Sequence, residues 1–122
     1  MRYHIILMLL AGLLGLGCSE NHIQAFVPGS YVRQTESSYG RAWDTLHINV
    51  VKGNSYRVER NIGYQSVLDG RLTEKKYKRS RWASELELDR GELQDRAFGH
   101  VLRLAPERNG LDMDGLWFIK IK

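Results

Sequence analysis

One cysteine stands in this chain of 122 residues, and its surroundings assign it a chemistry. Cys18 follows an apolar run from Ile5 to Leu16 and the small residue Gly17, with Arg2 ahead of the run. A cationic start, a short apolar stretch and a small residue before cysteine make up a bacterial lipoprotein signal, in which the thiol takes a diacylglyceryl group. The apolar run is too short for a membrane span, which needs about 20 residues. Two alternatives stay open. Gly15 stands where a lipobox usually has Leu, with Leu14 one place further back, and Gly15-Leu16-Gly17 also fits ordinary signal peptidase and simple secretion. An uncleaved anchor is the third reading. A lone cysteine in an exported protein has no internal disulfide partner, and acylation resolves that. Each buried CH₂ contributes about 0.8 kcal/mol, so several acyl chains hold a protein stably on a membrane.

Other reactive side chains lack the spacing that chemistry needs. His22, His47 and His100 are scattered, without a second ligand at metal spacing. The serines Ser37, Ser38, Ser55, Ser66, Ser80 and Ser84 stand outside any Gly-x-Ser-x-Gly elbow. Asp44 lies near His47 in sequence, but a triad requires a third group in space. Glu85 and Glu87 alternate as the solvated face of a strand would. Asp112 and Asp114 lack the further ligands of a calcium loop. No catalytic residue, metal or cofactor is expected.

The strongest charge feature is Lys75-Lys76-Tyr77-Lys78-Arg79-Ser80-Arg81, with Arg71 just before it. Its cations, Arg71, Lys75, Lys76, Lys78, Arg79 and Arg81, form a candidate contact for an anionic partner or for lipid headgroups. Nucleic acid is the less favoured partner, since an exported protein meets little of it. The plainest reading is a lysine-rich edge strand that blocks sheet-to-sheet aggregation.

The elements that would position these groups are strands. Residues 1–17 read as signal peptide, 18–25 as lipidated cysteine and polar tether, and 26–122 as one β domain. The remaining 105 residues carry 17 Lys and Arg against 14 Asp and Glu, a mild excess that implies no polyanion by itself. Turn signals recur at Pro28-Gly29, Gly53-Asn54, Asp69-Gly70, Arg90-Gly91, Asn109-Gly110 and Asp114-Gly115. Between them, apolar residues alternate: Leu46, Ile48 and Val50; Tyr56 and Val58; Trp82, Leu86 and Leu88; Trp117, Ile119 and Ile121. Strands are expected at 29–34, 43–51, 55–61, 64–68, 71–78, 81–89, 92–105 with a bend near Gly99, and 111–122. One short helical turn fits within 35–43. About eight consecutive strands must hide their edges, so the expected fold is all-β, a small antiparallel up-and-down barrel or strongly curled meander sheet of lipocalin-like kind.

Phe26-Val27-Pro28-Gly29-Ser30-Tyr31-Val32, Ser37-Ser38, Asp44-Thr45-Leu46, Tyr56 with Arg60, Trp82, Phe98-Gly99-His100 and the stretch from Pro106-Glu107 to Lys120-Ile121 resemble small lipoproteins of Bacteroidota of unknown function, associated with mobile and conjugative elements. The resemblance implies a barrel-like extracytoplasmic domain and supplies no catalytic residues. The expected role is non-enzymatic: a lipoprotein of the cell envelope, on the outer membrane or cell surface of a Gram-negative bacterium, that binds a protein partner or a small ligand. The alternative is an inhibitor or accessory factor of an envelope enzyme or transfer assembly. A ligand-binding barrel would need a hollow interior, which Trp43, Trp82, Trp117, Tyr31 and Tyr56 could instead fill.

Overall fold

A computed structural model describes residues 22–122, and these form an antiparallel β-barrel. Nine strands follow in chain order: β1 Gly29–Ser37, β2 Gly40–Lys52, β3 Ser55–Leu68, β4 Arg71–Leu72, β5 Lys76–Glu87, β6 Glu92–Gln94, β7 Val101–Ala105, β8 Gly110–Met113 and β9 Leu116–Lys120. Eight of them close the barrel. Each pairs with its successor, β5 taking the place beside β3 and β9 returning to β1 through Tyr31↔Lys120 and Val32↔Ile119. The two-residue β4 hangs on the end of β3. The expected all-β up-and-down barrel is therefore present, and closure leaves most strands without a bare edge.

The strand count agrees with expectation through differences that offset one another. The strands expected at 55–61 and 64–68 are one strand: Asn61-Ile62-Gly63 stays extended because it is paired on both sides, with Thr45, Asp44 and Trp43 of β2 and with Arg79, Lys78 and Tyr77 of β5. Most of 71–78 and 81–89 is likewise one strand, β5, since Arg79-Ser80 offers no break. The expected strand 92–105 is two strands parted at 95–100. There the Asp95 carboxylate accepts the N–H groups of Ala97 (2.8 Å) and Phe98 (3.2 Å) and turns the chain. The expected strand 111–122 divides at Asp114 and Gly115, whose φ angles of 54° and 85° make a tight hairpin. The helical turn expected within 35–43 is absent: Thr35 pairs with Ala42 and Ser37 with Gly40 in the β1–β2 hairpin.

Alternation sets the core. Leu46 and Ile48 on β2, Tyr56 and Val58 on β3, and Trp82 and Leu86 on β5 all point inward and are buried. Tyr31, Leu93, Leu102, Leu111, Met113 and Phe118 complete the packing. Two expectations fail at the strand ends. Val50 is exposed although it pairs with buried Tyr56: β1 starts only at Gly29, opposite Ile48, and the β2–β3 register shifts between Val50 and Lys52. On β9 the inward residue is Phe118, while Ile119 and Ile121 are exposed and Trp117 lies half-buried on the outside. Leu116 to Ile119 is apolar throughout, so period two does not set the phase; the turn does, by placing Met113 opposite Leu116 and Leu111 opposite Phe118.

The segment expected as a patternless tether differs over its described part. Residues 22–26 are helical. Ile23 and Phe26 pack on the core, and Tyr31 Oη donates to the carbonyls of Phe26 and Val27, both at 2.9 Å. This turn caps the barrel at the end where β1 begins. Lys120 completes the cap: its ammonium donates to the Phe26 carbonyl and sits 4.3 Å from the Phe26 ring centroid. Burial lowers the Lys120 pKa and raises those of Tyr31 and Tyr56, with the neighbouring Tyr56 adding to the shift at Tyr31. The signal peptide and Cys18 to Asn21 lie outside the described residues.

Candidate binding surface on the strand ribbon

Unequal strand lengths create the one built-out surface of the described residues. β1, β2, β3 and β5 have 9, 13, 14 and 12 residues, whereas β6 to β9 have 3, 5, 4 and 5. β9 covers β1 only at Tyr31 and Val32, and β6 covers β5 only from Glu85 to Glu87. Beyond those residues the long strands continue as a four-stranded ribbon. Its tip, the β1–β2 hairpin, lies at the opposite end of β1 from the helical cap, about 25 Å away at strand rise.

The basic run lies on this ribbon and does not form one patch. Arg71 is in β4, opposite Leu68, and exposed. Lys75 precedes β5 and holds its Nζ 4.8 Å from the Trp43 ring centroid. Within β5 the pleat then separates the rest. Lys76 and Lys78 share the parity of buried Trp82 and face the concave side; Arg79 and Arg81 face outward with Tyr77. Arg81 Nε lies 3.6 Å from Glu59 Oε1 across the β3–β5 pair. This partly exposed pair contributes little, on the order of 0.5 kcal/mol. Sequence proximity thus overstated how far these cations act together.

Cross-strand register places other groups beside them. On the outer side, Trp43, Gly63 and Tyr77 form one row across β2, β3 and β5. A Cβ on Gly63 would stand 3.3 Å from the Tyr77 ring and 3.6 Å from that of Trp43, so the two rings close over the glycine. Tyr77 remains 72 % exposed. On the concave side, Arg60 grips buried Asp44, with Nε donating at 3.0 Å and Nη2 at 2.6 Å. This fork closes the core where the ribbon leaves the barrel, and it neutralises an acid that would otherwise be buried unpaired. The proximity of Asp44 and His47 in sequence carries no chemistry: Asp44 points inward, whereas His47 is outside, hydrogen-bonded to Ser30 Oγ at 2.8 Å.

A second feature borders β5. Beside Trp82, Ala83 and Ser84 runs a groove of about 460 Å³, walled on its far side by Asp95, Arg96, Ala97 and Phe98. It occupies the lane that β6 would fill had Asp95 not turned the chain. Trp82 Nε1 and Ser84 Oγ, both buried, have no hydrogen-bond partner among the described residues. The Trp82 ring stacks on His100 at 4.5 Å between centroids, and His100 Nδ1 lies 3.6 Å from Asp114 Oδ2, fastening the 95–100 loop to the rim. Sequence reading missed this groove, although Asp95 and Gly99 inside an expected strand were the available signal.

Among the described residues, no three His, Cys, Asp or Glu side chains cluster as metal ligands, and no helix is long and apolar enough to cross a membrane. The chain matches no family model, no curated protein and no solved structure.

Proposed function

We propose that this protein is a non-enzymatic binding module of the cell envelope, held on the membrane by a lipid on Cys18 and contacting an anionic partner through its ribbon. The single observation that carries the reading is the division of the molecule into a filled barrel and a cation-bearing extension. Tyr31, Phe118, Leu46, Leu93, Leu102 and Leu111 are completely buried, so side chains fill the interior that a hollow ligand barrel would need. Surface chemistry is then what remains for recognition. This reading places recognition on the ribbon surface rather than inside the barrel.

Polarity of the fold favours a partner over headgroups as the target of the basic run. The described chain enters at the capped end of the barrel, and the ribbon tip lies at the other end of β1. Three residues, 19–21, separate Cys18 from the helical turn that starts at His22, a span of four residue steps that reaches at most about 13 Å. An anchor at Cys18 therefore holds the capped end near the lipid and directs Arg71 and Lys75 away from it.

Membrane fractionation of wild type and Cys18→Ala, with and without a salt wash, tests the anchor. Wild type should stay with the membrane after washing, and Cys18→Ala should be released. Retention of Cys18→Ala after the wash would overturn the anchor. Charge reversal at Lys78 and Arg79 tests the contact, since it should leave fractionation unchanged while abolishing binding to anionic partners.

A further inference from the structure

The groove and the basic strand share one feature: an open strand edge. Leu86 N–H donates to Asn54 O at 2.8 Å. In an antiparallel ladder this directs the N–H and C=O groups of the even residues of β5 toward β3. Those of Tyr77, Arg79, Arg81 and Ala83 then point the other way. Glu85 and Glu87 in the same phase meet β6, but β6 ends at Gln94, and among the described residues no strand lies beside Tyr77 to Ala83. The edge starts at the groove, beside the two orphaned polar atoms, and runs up the ribbon.

We infer that the β5 edge from Tyr77 to Ala83 is a docking lane for an extended acidic segment of a partner protein, which adds a strand to the sheet with its end in the groove. This rests on the binding reading above and names its partner and mode. Strand addition uses main-chain hydrogen bonds for affinity and flanking side chains for selection. Here the selecting groups are Lys76 and Lys78 on one face and Arg79 and Arg81 on the other. An incoming strand presents side chains to both faces alternately, so acidic residues at neighbouring positions meet cations on both sides. A flat anionic surface would engage one face only. The same charges disfavour a second copy of this chain, since two basic edges would oppose each other.

The mature Cys18→Ala protein tests this with a fluorescent peptide of repeating Thr-Glu-Glu and a copy N-methylated at alternate residues. The unmodified peptide should bind and the N-methylated one at least tenfold more weakly. Amide exchange should be fast at Tyr77, Arg79, Arg81 and Ala83 in the free protein and slowed at those positions by the peptide, while Lys78, Ser80 and Trp82 stay protected throughout. Lys78→Glu and Arg79→Glu should each weaken binding about tenfold. Ala83→Pro, which removes an edge N–H and no charge, should weaken it as well; where that variant fails to fold, the N-methylated peptide decides. Equal binding of both peptides, unchanged exchange at the odd positions, equal competition by phosphatidylglycerol vesicles or single-stranded DNA, or no binding at millimolar peptide would each overturn the proposal. Equal binding that still falls on charge reversal would remove the edge mode and leave the anionic-contact reading standing, and the lipid on Cys18 plays no part in the assay.

Discussion

Arg60 donates through Nη2 to Asp44 Oδ2 at 2.6 Å, from β3 to β2, at the level where the barrel core ends and the ribbon begins. The two residues are not directly opposed: Asp44 pairs with Ile62 and Arg60 with Leu46, so the guanidinium reaches diagonally across the ladder. The contact seals the core with a charge pair where an apolar residue would face water on one side.

Removing one partner should cost more than removing both. Asp44→Ala leaves a half-buried guanidinium unpaired, with an expected loss of about 3 kcal/mol. Asp44→Ala combined with Arg60→Met should recover part of that loss. Urea unfolding of the single and double variants measures the coupling; additive losses would show that the two side chains act independently.

Tyr31 makes the molecule sensitive to alkali. Burial raises its pKa well above the usual value near 10. The folded state thus keeps its proton where the unfolded chain releases it. The contribution to stability is complete below pH 10 and falls as pH rises through that value toward the folded pKa. Tyr31→Phe should cost about 1–2 kcal/mol at neutral pH, through loss of the hydrogen bonds to Phe26 and Val27, and should flatten the alkaline decline. Unfolding curves at pH 8 and about pH 11 check both parts.

Two glycines should respond oppositely to a methyl group. At Gly110 a Cβ would meet the Phe118 carbonyl oxygen at 2.3 Å, a backbone atom of the paired strand. Gly110→Ala should therefore cost about 2 kcal/mol or more. At Gly63 the nearest atoms belong to the Tyr77 ring, at 3.3 Å, and that side chain is free to swing outward. Gly63→Ala should stay within about 1 kcal/mol of wild type. Thermal unfolding of both variants measures the contrast.

Much of the barrel was legible in the residues, because alternation and turn chemistry act locally. Asp114-Gly115 and Asp69-Gly70 mark tight hairpins through positive φ, and Leu46, Ile48, Tyr56, Val58 and Trp82 announce an inward face. Phase was illegible where every residue is apolar, as from Leu116 to Ile119, since register there depends on a turn outside the run. The basic run was visible as composition. Its division between two faces was not, because the one aromatic residue within Lys75 to Arg81, Tyr77, faces outward and buried residues mark the inward side only from Trp82. The open edge of β5 follows from a partner strand ending early, a property of Asp95 and β6 that no pattern within β5 reveals.

Intact-mass analysis of the mature protein purified from the membranes of a Gram-negative host tests whether this module is lipid-borne. The expected chain begins at Cys18 and is heavier than residues 18–122 by a diacylglyceryl group with or without an N-linked acyl chain. An unmodified chain, beginning at Cys18 or at any other residue, would contradict it.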